Sequence, residues 1–167
     1  MTTEKWNLYT PDGQLTDKIH LRGEPMPPGY FHLVIHLWLT DEKGRYLIQK
    51  RAKTLASYPG VWAATGGSAI VGESSLQAVR RETKEELGLD LQPEKFHFVK
   101  RFNRNNHFVD LWKTTVSSDF LKHFKPTEEV DEVDFRFPHE IGQMLKSGNF
   151  FRYWDAYFEV LGIEVRG

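Results

Sequence analysis

The segment 74–88 constrains the fold of this chain most, because it carries the start, the period and the stop of one helix. Ser74 and Gln77 have the spacing of a capping box, in which each side chain binds the backbone N–H of the other residue. Gly88 suits the left-handed residue that often ends a helix. Between these signals, apolar or β-branched side chains recur at helical spacing: Leu76, Val79, Thr83 and Leu87. The pattern predicts a helix over residues 75–87 whose apolar stripe faces a core.

The same helix carries three carboxylates close together, those of Glu82, Glu85 and Glu86. Residues three or four apart are neighbours on a helix surface, so these side chains share one arc of the predicted helix. One explanation is a solvated face with an ion pair between Arg81 and Glu85. Like charges at this spacing cost only about a few tenths of a kcal/mol, so the cluster alone favours that explanation. The other explanation is a Mg²⁺ ion, which prefers carboxylate oxygens and is often completed by substrate phosphates.

The spacing around the helix decides between the two explanations. Gly67 is followed after five residues by Glu73 and after seven more by the run Arg81-Glu82-Thr83-Lys84-Glu85-Glu86-Leu87-Gly88-Leu89. Residues 67–89 therefore resemble the signature of the Nudix hydrolase family, GX5EX7REUXEEXGU, at every fixed position. Thr83 stands where an aliphatic residue is usual, but a β-branched side chain can still pack there.

This resemblance implies an α/β fold, an α/β/α sandwich with a mixed sheet, over about residues 30–162. It also implies hydrolysis of a pyrophosphate bond in a nucleoside diphosphate linked to another group. Glu82, Glu85 and Glu86 would bind Mg²⁺, or Mn²⁺ in its place, with activation of water as the alternative role of Glu82. Arg81 would orient these glutamates, and Gly67 would let the backbone approach metal or phosphate closely. Bound metals would neutralise the pyrophosphate and lower the pKa of a water molecule.

Two further site residues are predicted outside the signature. Nudix enzymes often bring an additional glutamate to the metals from the part of the chain that corresponds to 125–135. Of the glutamates there, we select Glu129 as the metal ligand, with a surface acidic turn as the alternative. Arg51, near the end of a strand, is the candidate for contact with the terminal phosphate, with solvated surface as its alternative.

Residues 29–67 are also similar to isopentenyl diphosphate isomerases, which share the Nudix fold. The similar places are His32, Lys50-Arg51 and Pro59-Gly60-Val61-Trp62. Isomerase chemistry uses a cysteine and, two places later, a metal-binding histidine, where this chain has Gly66 and Ser68. The isomerases also typically lack the intact run of glutamates that this helix keeps. We therefore expect a hydrolase on an isomerase-like scaffold, with an isomerase or a non-catalytic nucleotide-sensing Nudix domain as the alternatives.

The chain of 167 residues predicts one domain over 1–167. The predicted elements are a strand pair within the extension 1–28 that turns at Asp12-Gly13, strands at 30–40 and 45–52, a hairpin of 95–102 and 107–116, and helices at 138–148 and 150–162. This mixture indicates an α/β layered domain. In the last helix, aromatic and aliphatic side chains at helical spacing predict core packing: Phe151, Trp154, Phe158 and Leu161. We expect core packing also of His32, His36 and Trp112, rather than a histidine metal pair or a base-stacking surface.

Composition excludes several other classes of protein. The 22 Lys+Arg balance 23 Asp+Glu, so no basic footprint for nucleic acid or for a membrane surface is present. No apolar run approaches the roughly 20 residues that span a bilayer. The absence of cysteine excludes disulfides and a cysteine nucleophile, and it fits a cytoplasmic protein. The expected partner is a nucleotide or other diphosphate substrate, without nucleic acid or membrane, and a homodimer is left open.

Overall fold

The computed structural model describes residues 3–165. Its strands are β1 (Lys5–Tyr9), β2 (Leu15–Leu21), β3 (His32–Thr40), β4 (Tyr46–Arg51), β5 (Trp62–Ala63), β6 (Thr65–Ser68), β7 (His97–Asn103), β8 (His107–Thr115) and β9 (Val130–Arg136). Its α-helices are α1 (Ser75–Leu87), α2 (Phe120–His123), α3 (Pro138–Ser147) and α4 (Asp155–Val160), and a 3₁₀ helix spans Pro93–Lys95. Positions 1, 2, 166 and 167 of the predicted domain lie outside the described residues.

The chain divides into two compact units. The first unit contains the described residues up to Leu37 together with Gly66–Glu85 and Leu89–Thr114. The second unit contains Trp38–Thr65, Glu86–Gly88 and the described residues from Thr115 onward. Strand β3 and helix α1 each contribute residues to both units. The expectation of a single domain over 1–167 stays a prediction.

The strands form a two-stranded and a seven-stranded sheet. The small sheet is the antiparallel pair of β1 and β2, at the place where the sequence predicts a strand pair. The large sheet has the order β5-β4-β3-β8-β7, with β6 paired to β3 and β9 paired to β4. β7 and β8 form the predicted antiparallel hairpin. Together with the helices, these sheets confirm the predicted α/β class.

Strand β4 presents different side chains to its two faces, because successive residues of a strand alternate. Tyr46 lies on one face, where its hydroxyl donates to the carbonyl of Leu161 at 2.8 Å. Gln49 lies on the other face, where its amide donates to the carboxylate of Glu86 at 2.9 Å. The register pairs Gln49 with Val133 of β9 and with Ala63 of β5. β4 therefore places an uncharged polar side chain beside the end of α1.

Helix α1 has the predicted bounds and the predicted start. The backbone N–H of Ser74 donates to Gln77 Oε1 at 2.8 Å, and the N–H of Gln77 donates to Ser74 Oγ at 3.1 Å. Gly88 ends the helix at a φ of 71°. The buried part of the predicted stripe consists of Val79, Thr83 and Leu87. Beside this stripe, the helix has a second row of buried residues, spaced four apart: Ala78, Glu82 and Glu86.

The prediction of a helix over 150–162 is wrong for residues 150–154, since α4 begins only at Asp155. Phe150 forms a parallel bridge with Trp62, and the N–H of Phe151 donates to the carbonyl of Trp62 at 2.8 Å. This pairing with β5 holds the segment extended. Of the four residues predicted to pack in the core, Phe158 and Leu161 are buried. Phe151 and Trp154 are partly exposed, because they precede the helix.

The predicted packing of His32 and Trp112 is present in the first unit. His32 is 9% exposed and stacks on Trp6, with ring centroids 4.1 Å apart and planes at 10°. Within residues 3–165, its Nδ1 atom has no hydrogen-bond partner. Burial first, and then His107, lowers the pKa of His32 to about 4. Trp112 is also 9% exposed, and its indole N–H donates to Ser75 Oγ at 2.9 Å.

A candidate metal centre of carboxylates

Three glutamates offer carboxylate oxygens to one point. Glu82, Glu86 and Glu129 each place one such oxygen within 4.8 Å of the other two. Glu82 and Glu86 lie one turn apart on α1, and Glu129 belongs to the loop that precedes β9. Glu82 and Glu86 are only 6% and 3% exposed, whereas Glu129 is exposed. Burying carboxylates is costly unless a positive charge compensates, so this donor set fits a hard divalent cation.

Arg81 joins the carboxylates of the first unit. Its Nε and Nη2 atoms donate to the two carboxylate oxygens of Glu73 at 2.6 and 3.1 Å. Its Nη1 atom donates to Glu82 at 3.2 Å and to Glu85 at 3.0 Å, and Nη2 also reaches the carbonyl of Ser68 at 3.2 Å. Burial by itself would lower the pKa of Arg81, but Glu73, Glu82 and Glu85 raise it above its ordinary value. The guanidinium therefore stays charged, and its N–H groups hold the glutamate side chains and one backbone carbonyl in place.

Glycines 66 and 67 leave room for neighbouring atoms. A Cβ atom on Gly67 would lie 2.7 Å from Cδ of Glu82 and closer still to its Oε1. The space at Gly67 is therefore filled by the carboxylate of Glu82, while the predicted approach to metal or phosphate stays a prediction. A Cβ atom on Gly66 would collide with the backbone carbonyl of Ile35 and lie 2.6 Å from His36 Cδ2. The backbone therefore leaves no space for a cysteine side chain at position 66.

Gln49 orients Glu86 in the second unit. The side chain of Gln49 is 2% exposed, and its Nε2 atom donates to Glu86 Oε1 at 2.9 Å and to Thr65 Oγ1 at 3.0 Å. Thr127 adds a hydrogen bond from its hydroxyl to the backbone carbonyl of Glu86 at 3.0 Å. No motif in the sequence predicts this role of Gln49. The signal that could have found it is a polar residue in the otherwise apolar run "YLIQ" of a buried strand.

Tyr153 is a second residue of this region that no sequence motif predicts. Its hydroxyl accepts a hydrogen bond from the N–H of Ala64 at 3.2 Å. Burial raises the pKa of Tyr153 above its ordinary value, and the negative charge of Glu86 raises it further. The phenol therefore stays neutral, and it lies close enough to Glu86 for that charge to act on it. No sequence signal distinguishes it from the other aromatic residues of "FFRYW".

The structure separates Glu85 from the other two helix glutamates. Its side chain is 51% exposed and pairs with Arg81, which is the ion pair expected of a solvated face. Glu85 is not among the three clustered glutamates, and its predicted role as a metal ligand stays a prediction. The segment 125–135 contains Glu128, Glu129 and Glu132. Of these, Glu129 belongs to the cluster, whereas Glu132 pairs with Lys50 at 3.7 Å.

Arg51 binds the backbone of the loop that follows β4. Its Nη2 atom donates to the carbonyl of Ser57 at 2.8 Å, and its Nε atom lies 3.2 and 3.3 Å from the carbonyls of Ser57 and Tyr58. The predicted contact of Arg51 with a substrate phosphate stays a prediction. What the structure shows is that this side chain fixes the shape of a loop.

A family model described as the NUDIX domain matches residues 30–157. The chain belongs to the Nudix hydrolase family. A protein of Listeria innocua described as an uncharacterised Nudix hydrolase is 39% identical over 154 residues, which cover 90% of each chain. An isopentenyl-diphosphate Delta-isomerase of Streptomyces griseus is 44% identical over 129 residues, which cover 70% of this Nudix hydrolase and 62% of the isomerase. The predicted family and the likeness to isomerases are thus confirmed.

Solved structures show the same fold. A protein of Deinococcus radiodurans superposes with a TM-score of 0.75 at 17% identity, covering 95% of this Nudix hydrolase and 98% of that chain. A MutT protein of Methanosarcina mazei superposes with a TM-score of 0.61 at 21% identity, covering 79% and 93% of the two chains. These structures confirm the predicted Nudix fold. Among the described residues, no helix has the length and apolar character needed to cross a membrane.

Proposed function

We propose that this Nudix hydrolase cleaves the pyrophosphate bond of a nucleoside diphosphate-linked small molecule, with Mg²⁺ or Mn²⁺ held by Glu82, Glu86 and Glu129. The observation that carries the proposal is the meeting of three carboxylate oxygens within 4.8 Å, two of them on buried side chains. Neighbouring carboxylates repel each other, so a divalent cation gives this arrangement its physical reason.

The residues around the cluster have distinct tasks in the proposed reaction. When bound, the metal ion supplies Lewis-acid stabilisation of the pyrophosphate and lowers the pKa of a water molecule. Arg81 holds the side chains of Glu82 and Glu85 through hydrogen bonds of 3.2 and 3.0 Å. We propose Glu85, whose half-exposed side chain is held by Arg81, as a further metal ligand, and Glu82 as a ligand or as the residue that activates the attacking water. Gln49 fixes the orientation of Glu86 through a neutral hydrogen bond.

The remaining parts of the proposal concern partners and place. The balance of 22 basic and 23 acidic residues favours a small-molecule substrate over nucleic acid. A chain without cysteine suits a reducing cytoplasm, and we propose that location and a single working domain. A native molecular mass from light scattering would decide between a monomer and a homodimer.

Glu129 offers the sharpest test, because its neighbour Glu128 is a matched control. Both are exposed glutamates of one loop, but Glu129 alone of the two belongs to the cluster. Glu129→Gln should lower kcat on a panel of nucleoside diphosphate derivatives by about 100-fold and leave the metal-free melting temperature unchanged. Glu128→Gln should behave as wild type. Millimolar Mg²⁺ or Mn²⁺ should raise the melting temperature of wild type and of Glu128→Gln more than that of Glu129→Gln.

Three results would contradict the proposed function. Equal activity of the two variants would remove Glu129 from the site, and activity without divalent metal would remove the metal. Nucleotide binding without turnover by the wild type would favour a sensing domain over an enzyme.

A further inference from the structure

An exposed aromatic residue has an unfavourable backbone conformation in the loop 52–61, between β4 and β5. Tyr58 has a φ of 48°, which is left-handed, and every other positive φ among the described residues belongs to a glycine. A side chain that carries a Cβ atom is disfavoured in this region, and bulky residues avoid it most. The side chain of Tyr58 is also 60% exposed, so core packing does not compensate. Strain of this kind concentrates at functional sites, where the rest of the structure maintains it.

Arg51 maintains the conformation of this loop from both its backbone and its side chain. Its N–H donates to the carbonyl of Val61, and its carbonyl accepts from the N–H of Gly60, both at 2.9 Å. Its guanidinium donates to the carbonyl of Ser57 at 2.8 Å and reaches that of Tyr58 at 3.3 Å. These contacts lie on both sides of the strained residue. Arg51 therefore fixes the backbone that carries the ring of Tyr58.

The loop begins beside the carboxylate cluster. The N–H of Ala52 donates to the backbone carbonyl of Glu129 at 2.9 Å. Ala52, Tyr58 and Glu129 all belong to the second unit. The segment that presents Tyr58 is thus tied to the loop that supplies one of the proposed metal ligands.

A line of aromatic rings leads from Tyr58 towards Glu86 within the same unit. The rings of Tyr58 and Phe151 meet edge to face, with centroids 4.9 Å apart and planes at 80°. The ring of Phe151 lies 4.8 Å from that of Tyr153, whose pKa responds to the charges of Glu86 and Arg51. An edge-to-face contact leaves at least one face of the Tyr58 ring open, in agreement with its exposure. That open face of the ring has room for a flat group to stack on it.

We propose that Tyr58 is the stacking platform for the base of a nucleoside diphosphate substrate, and that Phe151 supports its ring. The proposal rests on the proposed function and adds the residue that reads the nucleoside part. Every base has a π-face, so stacking accepts different bases. The platform then favours nucleoside diphosphates over diphosphates that lack a flat ring.

The test combines kinetics and binding of three Tyr58 variants. Tyr58→Ala should raise KM for the best nucleoside diphosphate of the panel by about tenfold with kcat nearly unchanged, whereas Tyr58→Phe should keep the wild-type KM. Tyr58→Gly should lose the same affinity but melt at or above the temperature of Tyr58→Ala, because glycine accepts the left-handed φ. Phe98→Ala is the matched control, since Phe98 is 52% exposed and lies in the other unit. It should leave KM unchanged.

Calorimetry with AMP, GMP, CMP and UMP measures the stacking without any turnover. Tyr58→Ala should weaken binding of these nucleotides about tenfold and leave binding of ribose 5-phosphate, which has no base, unchanged. This result would support the platform even if the protein hydrolysed none of the panel, in which case only the proposed function would fail. The platform is refuted by wild-type affinity of Tyr58→Ala, by equal weakening towards ribose 5-phosphate, or by a wild-type protein that binds no nucleoside monophosphate.

Discussion

Replacing Gly67 by alanine tests whether the carboxylate of Glu82 must lie where the structure places it. The new Cβ atom would lie 2.7 Å from Glu82 Cδ, and ordinary van der Waals contact begins at 3.4 Å. The carboxylate must therefore withdraw by 3.4 − 2.7, or about 0.7 Å, measured at Cδ. A misplacement of about 1 Å in an active site costs about 100-fold in rate. We expect kcat to fall by about 10- to 100-fold, which corresponds to about 1.4–2.7 kcal/mol.

The same substitution should hardly change the free energy of unfolding. Gly67 does not have a left-handed φ, so alanine fits its backbone and restricts the unfolded chain, which stabilises by about 0.4–1 kcal/mol. The atoms displaced by the new Cβ belong to the end of the flexible Glu82 side chain, so they can move at little cost. The weakened contact of Glu82 with Arg81 offsets the stabilisation that alanine brings. Gly66→Ala is the contrast, because its Cβ atom would meet the backbone carbonyl of Ile35. That variant should lose stability as well as activity.

Steady-state kinetics and urea unfolding of the two variants test whether Gly67→Ala lowers activity without lowering stability. Gly67→Ala should separate activity from stability, and its melting temperature should respond less to Mn²⁺ than that of wild type. Wild-type kcat in Gly67→Ala would refute the argument, since it would mean that Glu82 can move without consequence. A loss of stability as large as that of Gly66→Ala would refute the steric part of the reasoning.

Three further predictions concern other parts of the molecule. Gln49→Leu should remove the donor to Glu86 and weaken Mn²⁺ binding by about 10- to 100-fold in a calorimetric titration, and unchanged affinity would contradict the orienting role. Burial holds the pKa of His32 at about 4 against 6.5 unfolded, so its stabilisation is present above pH 6.5 and is lost as the pH falls towards 4. This loss of unfolding free energy, at most about 3 kcal/mol, should be smaller in His32→Phe. If the free energy of unfolding changes with pH in parallel for the two proteins, His32 does not cause the loss. Purified protein with Mg²⁺ should not isomerise isopentenyl diphosphate, because Gly66 stands where the isomerases use a cysteine and the backbone there has no room for one. Measurable isomerised product would overturn the assignment as a hydrolase.

Local signals predicted several elements well, and long-range pairing corrected one of them. Helix α1 has its predicted bounds because the capping box and Gly88 act within a few residues of the helix ends. The helix predicted over 150–162 is shorter than expected, because Phe150 and Phe151 bond to Trp62. That partner lies far away in the sequence, so helical spacing alone could not reveal the competing extended structure.

The roles of the three helix glutamates could be predicted only in part. Helix geometry places Glu82, Glu85 and Glu86 on one arc, but the edge of the buried surface crosses that arc. The structure buries Glu82 and Glu86 and leaves Glu85 half exposed, paired with Arg81. The position of this boundary depends on how the helix packs, which periodicity does not specify.

The sequence by itself determined the family, the helix that carries the glutamates and the absence of a cysteine, because these are properties of spacing and composition. Only the tertiary structure decided that Glu129 joins the cluster, that Gln49 binds Glu86, and that the guanidinium of Arg51 donates to backbone carbonyls of a loop. The first two outcomes bring together residues at least 37 positions apart in the chain, and the pairing of β4 with β9 joins residues 79 to 90 positions apart. Such pairing is selected by the energy of the whole packed chain, and no local pattern in the sequence encodes it.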